Sequence, residues 1–242
     1  MDPSFVSSQQ RSETDPFHSE IHLCFETSLS FPPGKIRSEE DCNTLDTESD
    51  SEPKMPNLLI PRLLPMKTRQ TPKFTLVLDL DETLVHSETI PLPIVDYTFQ
   101  LTLDQGSFRI YVAYRPGLFD FLEVMCGLFE VVIFTASIQK YAEQVLKAID
   151  PNAKLKYRFY RESCVEIKGA LVKDLRVLGR DLGQVAIIDN SEHSYLCQPM
   201  NGILIPSWFH DRQDKALQRL VPMLLQMSQA EDVREFLKSY KY

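Results

Sequence analysis

One stretch constrains this chain more than any other: Phe74-Thr75-Leu76-Val77-Leu78-Asp79-Leu80-Asp81-Glu82-Thr83-Leu84-Val85-His86-Ser87. It begins as an apolar, β-branched run and then sets two carboxylates two positions apart. A run without polar alternation fits a strand buried on both faces, as in a parallel sheet. In open parallel sheets, ligands bind just outside the carboxyl ends of the strands. Asp79 falls at that end and Asp81 on the first turn beyond it. Two acids so placed can divide labour, one ionised as nucleophile or metal ligand, the other as proton donor. A bare D-x-D-x-T is equally compatible with a strand ending in a solvated acidic turn, so the rest of the chain has to decide.

Two more buried strands are expected at Phe129–Phe134 and Gln184–Ile188, a fourth at Gly202–Ile205 and a short one at Tyr157–Tyr160. Between them, Leu118, Phe121, Leu122 and Met125 recur at helical spacing after Pro116, as do Ile138, Tyr141, Ala142, Val145, Leu146 and Ile149 before Pro151. A short helix is expected at Asp174–Leu178. A late helix through Leu217, Leu220 and Leu224 should kink or restart at Pro222, and a last one covers roughly 231–239. Strand–helix alternation of this kind makes an α/β fold with a doubly wound parallel sheet. The runs 98–103 and 108–114, separated by Asp104-Gln105-Gly106-Ser107, read as an inserted β-hairpin.

The polar residues fall where that fold needs them. Three buried strands end in Asp79/Asp81, Thr135/Ser137 and Asp189/Asn190, and such ends converge on one crevice. Lys173 lies in a loop-like stretch between the second and third clusters and completes a site for a phosphoryl group.

With these residues in hand the chain resembles the small carboxy-terminal-domain phosphatases of the haloacid dehalogenase superfamily. The likeness rests on Asp79 to Ser87, Phe134-Thr135-Ala136-Ser137, Arg161-Glu162-Ser163-Cys164, Val172-Lys173-Asp174-Leu175, Ile188-Asp189-Asn190-Ser191 and Ser207-Trp208-Phe209, and covers about 73–240. It implies Asp79 as nucleophile and Asp81 as general acid and base, the latter needing a carboxyl raised above its usual range. It implies Thr135 and Lys173 on the phosphoryl oxygens. It also implies Mg²⁺ held by Asp79, the Asp81 carbonyl and Asn190, with Asp189 acting through a bound water. By family position, Leu101, Leu103, Ile110, Ile138 and Tyr141 would form an apolar pocket for a substrate proline, and Arg161 would contact substrate polar groups. Ordinary hairpin and helix packing explains the same five apolar residues equally well, and an ion pair would explain Arg161. Thr89 stands where close relatives have an aromatic residue. Superfamily members acting on small molecules usually carry Gly where this chain has Glu82. Glu82, His86 and Ser87 are read as structural, and Trp208 as core. Cys164 is not a phosphatase nucleophile of the C-x₅-R kind, since Ala170 stands where the Arg should be.

Only 54 positions separate Asp81 from Thr135, and 38 separate Thr135 from Lys173. The expected hairpin, helices and strands use nearly all of them, which leaves no room for an inserted cap. A capless, open site favours a macromolecular substrate, and the resemblance implies phosphoserine or phosphothreonine in protein tails such as that of RNA polymerase II. Two other classes stay open: an inactive phosphopeptide-binding module of the same fold, and a capless phosphatase for lipid or nucleic-acid phosphates. Against the last stands the charge distribution. Residues 1–53 hold 12 acidic against three basic side chains, so the net charge of −8 resides there and the remainder is near neutral, with no basic stripe for nucleic acid.

Residues 1–72 are expected as a disordered acidic leader and linker, rich in Ser, Thr, Asp, Glu and Pro, and 73–242 as the phosphatase domain. Five scattered cysteines without C-x-x-C suit a reducing compartment. With no apolar run of 18 residues and no signal sequence, the expectation is a monomer in nucleus or cytoplasm, without a membrane span.

Overall fold

The computed structural model describes residues 62–240. The leader expected over 1–72 lies outside the described residues except for 62–72. Ten strands are described: β1 Thr75–Leu78, β2 Val85–Glu88, β3 Tyr97–Leu103, β4 Gly106–Tyr114, β5 Glu130–Phe134, β6 Tyr157–Phe159, β7 Val165–Ile167, β8 Ala170–Val172, β9 Val185–Asp189 and β10 Gly202–Leu204. The α-helices among the described residues are α1 Leu118–Leu128, α2 Gln139–Ile149, α3 Ala216–Met227 and α4 Val233–Ser239.

Five strands form one parallel sheet in the order β10-β9-β1-β5-β6. Every residue of β1, β5 and β9 is buried, the pattern expected of strands covered on both faces. The chain winds outward from β1 through β5 to β6, then crosses to the other side of β1 to lay down β9. That reversal opens a crevice at the carboxyl ends of the strands on either side of β1.

The two faces are covered differently. Leu76, Leu78, Val131, Ile133, Ala186 and Ile188 share one core with buried residues of all four helices and the small sheet. Val77, Val132, Phe134, Val185 and Ile187 face the other way, onto Leu64, Leu175, Val177, Leu178 and Tyr195. This second layer is built from short 3₁₀ turns, such as Leu175–Leu178, which Gly179 ends in a left-handed conformation. Residues 62–72, read as linker, lie along the domain here: Leu64 is buried, and the Leu63 amide donates to the Val177 carbonyl at 2.8 Å.

The hairpin of β3 and β4 is joined by β2, giving an antiparallel sheet in the order β2-β4-β3. Sequence reading missed β2 because its four residues, Val85-His86-Ser87-Glu88, carry no apolar period. The β7–β8 hairpin was missed because each of its strands has only three residues, too few for an alternation to stand out. Helix α3 runs through Pro222 without restarting. The burial of Leu217, Leu220, Met223 and Leu224 along one face offsets the one backbone hydrogen bond that proline forfeits.

Candidate active site

Asp79 continues β1, its amide donating to the Ile188 carbonyl at 3.0 Å. The chain then folds back tightly. The Leu84 and Val85 amides both donate to the Leu80 carbonyl, and the Glu82 amide donates to the Val85 carbonyl at 2.8 Å. Glu82 takes up the reversal with φ of +55°, a left-handed conformation that costs a side-chain-bearing residue about 1–2 kcal/mol. The Glu82 carbonyl accepts from the Trp208 amide at 2.8 Å, and its carboxylate lies 3.2 Å from His86 Nδ1. The His86 ring meets the edge of the half-exposed Phe209.

The reversal buries both Asp79 and Asp81, and the two receive different partners. Lys173 Nζ, itself buried, lies 2.5 Å from Asp79 Oδ1 and 2.6 Å from Asp189 Oδ2. Asp189 Oδ1 accepts from the Ser191 amide at 2.9 Å. Among the described residues, Asp79 Oδ2 is the buried side-chain oxygen with no hydrogen-bond partner. Asp81 is held by hydroxyls: Tyr141 on Oδ1 at 2.5 Å, and Ser137 and Thr135 on Oδ2 at 2.8 and 3.3 Å. The Tyr141 hydroxyl also lies 2.8 Å from Ser87 Oγ.

The electrostatics follow from burial. Loss of water pushes the Asp79 carboxyl up to about 7, against the pull of Lys173 and with help from Asp189 and Asp81. Burial also raises Asp81, to about 6, with the Glu82 carboxylate adding to the rise and the three hydroxyls opposing it. So burial is the larger cause, and crowding by a neighbouring acid the smaller. Burial disfavours charge on Lys173, but Asp189 and Asp79 outweigh it and hold the ammonium above its usual range.

Asn190 follows β9 and stands between two hydroxyls. Its amide nitrogen donates to Ser207 Oγ at 2.9 Å, and its Oδ1 lies 3.5 Å from Thr83 Oγ1. Among the described residues no group of three His, Cys, Asp or Glu side chains gathers as a metal cluster. A set of one carboxylate, one backbone carbonyl and one carboxamide needs no such group. The unbonded, buried Asp79 Oδ2 is a hard oxygen without a partner, and a divalent cation fits it.

Residues 74–234 match the model of the family described as NLI interacting factor-like phosphatase. The chain belongs to that family. It is 49% identical over 178 residues to CTD small phosphatase-like protein 2 of Dictyostelium discoideum, covering 74% of this chain and 31% of that protein. Over 177 residues it is 42% identical to the human carboxy-terminal domain RNA polymerase II polypeptide A small phosphatase 1, covering 73% and 68%. The chain thus spans between about a third and two thirds of the length of these curated relatives. Among solved structures, the RNA polymerase II CTD phosphatase Fcp1 shares the fold, with a TM-score of 0.50 at 24% identity, covering 69% of this chain and 52% of that one.

For a member of the NLI interacting factor-like phosphatase family, the structure brings Asp79, Asp81, Thr135, Lys173, Asp189 and Asn190 to one end of the sheet. The residues expected to line a substrate pocket divide. Leu101, Ile110 and Tyr141 are buried in the core, whereas Leu103 and Ile138 are half-buried at its margin. A groove of about 380 Å³ does run between β3 and α2, but Gln100, Thr102, Gln139, Lys140, Glu143 and Gln144 line it along with Leu101. Arg161 Nε donates to the Ala136 carbonyl at 2.7 Å, which sets that side chain against the Thr135–Ser137 turn. Thr89 is half-buried just beyond β2. Cys164 is half-buried, and burial raises its thiol to about 11, away from nucleophilic character.

Sequence reading did not foresee the hydroxyl set on Asp81. Ser137 sat in a recognised strand-end cluster. Tyr141, in contrast, was read as an apolar wall of a pocket, and helical spacing says nothing about where its hydroxyl ends. Arg115 was missed altogether. It is 1% exposed, and its guanidinium reaches Asp214, the Thr83 carbonyl and the Pro206 carbonyl.

Proposed function

We propose that this chain is a Mg²⁺-dependent phosphoprotein serine/threonine phosphatase acting through an aspartyl-phosphate on Asp79. The observation that carries this reading is the unequal provision of two adjacent buried carboxylates. Asp79 keeps one oxygen free beside a lysine, while three hydroxyls hold both oxygens of Asp81 in place. That is a division between a nucleophile and a proton carrier.

One carboxylate oxygen of Asp79 attacks phosphorus, and the bond from phosphorus to the serine or threonine oxygen breaks. Asp81 gives its proton to the departing alkoxide. Asp81, now ionised, then takes a proton from water as that oxygen attacks the same phosphorus, and Asp79 leaves as a carboxylate with release of inorganic phosphate. Lys173 and Thr135 hold the phosphoryl oxygens and stabilise charge as it moves. Asp79, the Asp81 carbonyl and Asn190 would hold Mg²⁺, with Asp189 in support. When bound, the ion supplies positive charge against the phosphoryl oxygens.

The intervals between the site residues support an open, capless site. Between Asp81 and Thr135 come β2 to β4, α1 and β5; between Thr135 and Lys173 come α2, β6, β7 and β8. The names of the relatives support a phosphorylated tail such as the RNA polymerase II carboxy-terminal domain as substrate, and hence work in the nucleus. Among the described residues no helix is long and apolar enough to cross a membrane. Peptide residues flanking the phosphate would lie along the groove between β3 and α2, with apolar contact from the half-buried Leu103, which ends β3, and Ile138, which precedes α2, and with Arg161 beside the Thr135–Ser137 turn.

The test is hydrolysis of polymerase-tail phosphopeptides after EDTA treatment, with and without added Mg²⁺. Turnover restored by Mg²⁺ is expected, with Ile138→Asp lowering kcat/KM on peptide roughly tenfold and leaving p-nitrophenyl phosphate within about twofold. Binding of phosphopeptide without turnover would mark an inactive recognition module. Preference for a phosphoinositide or an oligonucleotide would overturn the protein substrate.

A further inference from the structure

Arg115 and Ser207 have no place in the mechanism above, yet they converge on one of its residues. Arg115 is buried at the end of the small sheet, where its amide donates to the Leu84 carbonyl. Its Nε and Nη2 form a fork on Asp214 at 2.8 and 3.1 Å. Nη1 donates to the Thr83 carbonyl at 3.0 Å, and Nη2 also donates to the Pro206 carbonyl at 2.9 Å. One side chain therefore ties the turn after β1 to the turn after β10. Those two turns carry Thr83 and Ser207, whose hydroxyls stand on either side of the Asn190 carboxamide.

The chemistry of an amide makes that placement informative. A carboxamide can rotate to offer either oxygen or nitrogen, and only the oxygen can ligate a cation. With its nitrogen committed to Ser207 Oγ, Asn190 keeps its oxygen on the opposite side. Partners behind a metal ligand commonly set its orientation, and losing one costs about 10- to 100-fold in metal affinity or activity. A lysine at 115 would keep the charge but not the planar fork that serves three acceptors at once.

We propose that Arg115 is a positioning residue, which acts through Thr83 and Ser207 to hold the Asn190 carboxamide with its oxygen turned to the divalent cation. This rests on the proposed Mg²⁺ site. Mn²⁺ binding followed by electron paramagnetic resonance reads the effect apart from turnover, and the Mg²⁺ concentration giving half-maximal hydrolysis of p-nitrophenyl phosphate reads it during turnover. Ser207→Ala, at an exposed position, should weaken Mn²⁺ binding about tenfold and raise the Mg²⁺ requirement in parallel, with metal-free Tm unchanged. Ser207→Thr, which keeps the hydroxyl, should restore both. Arg115→Lys should weaken binding further than Ser207→Ala; if it fails to fold, Asp214→Asn, which loosens the fork that holds Arg115, should weaken binding in its place, and wild-type Mn²⁺ affinity in the folded variant would overturn the role of Arg115. Wild-type Mn²⁺ affinity in Ser207→Ala, or equal loss in Ser207→Thr, would overturn the proposal. A parent protein that binds no Mn²⁺ would instead remove the metal site itself, and this inference with it.

Discussion

Two buried ionic clusters sit at opposite ends of the same sheet, and they are built to opposite specifications. At the amino ends of the strands, Glu130 opens β5 beneath Thr75, the first residue of β1. Its oxygens accept from Arg180 at 2.7 and 2.8 Å and from Thr75 at 2.7 Å, with Lys67 at 3.5 Å. Burial works against this carboxylate, but the Arg180 and Thr75 hydrogen bonds and the Lys67 charge outweigh it, so its pKa falls below the usual value. At the carboxyl ends, one ammonium serves two carboxylates, one oxygen has no partner, and Asp79 is raised to about 7. The first cluster has as many donors as its acid can use. The second is short of positive charge by design of its residues, which is the condition a phosphoryl group and a cation need in order to be bound. A buried charge satisfied within the fold stabilises; one left wanting is available to a ligand.

The largest test of that contrast is Asp79→Asn. An amide cannot form the acyl-phosphate, so turnover of p-nitrophenyl phosphate should fall at least about a thousandfold. Because the change removes charge from an over-acidic cluster at constant volume, Tm should stay within about 5 °C of the parent. A large loss of Tm would mean the two ends are alike after all.

Glu130→Gln should reverse the pattern. Removing one partner of a buried ion pair costs roughly 3–5 kcal/mol, read as a Tm lower by about 10 °C. Turnover at a temperature where the variant is folded should change less than about threefold. The same variant fixes a pH dependence. Since Glu130 is depressed in the folded state, its stabilisation is fully present above the ordinary carboxylate range and is lost as pH falls through the folded value. Urea titrations at stepwise lower pH should therefore bring parent and Glu130→Gln together, and a gap that widened toward acid would contradict the assigned direction.

A smaller effect concerns the segment that closes the amino end. A chain beginning at Thr71 loses Leu64 from the second core, Lys67 from beside Glu130 and the Arg180 contact to the Pro65 carbonyl, whereas one beginning at Arg62 keeps all three. Burial of one leucine is worth roughly 1.5–3 kcal/mol, so the shorter chain should be less stable by about that amount while its turnover is preserved. Equal melting curves would return 62–70 to the status of linker.

How much of this was legible in the sequence depends on the kind of residue. β1, β5 and β9 announce themselves as apolar runs, and the polar residues that end them, Asp79, Thr135 and Asp189, mark the site by position alone. Lys173 was legible only as a lysine in the right interval. Glu130 was hidden, since it stands inside the run Phe129–Phe134 and reads as a blemish in a strand until Arg180 is seen beneath it. Arg115 was hidden too, because its partners Thr83, Pro206 and Asp214 lie far along the chain, and a charged side chain is ordinarily assigned to solvent. Tyr141 shows the reverse failure: its spacing placed it correctly on the buried face of α2, but its hydroxyl, on Asp81, belongs to the chemistry. Periodicity reports which way a side chain faces and nothing about what its far end meets.

The strand order also governs how the domain comes off the ribosome. β1 ends up in the middle of the sheet with β5 on one side and β9 on the other. β5 emerges soon after it, but β9 begins only at Val185. Until then a strand that ends up wholly buried has one flank unpaired, an open edge of the kind that recruits other chains. Nor does any part of the acid cluster find its ammonium before Lys173 is made. The polypeptide is therefore exposed from the emergence of β1 until β9 follows it, and activity should appear in one step once Lys173 and β9 are made rather than grow with length.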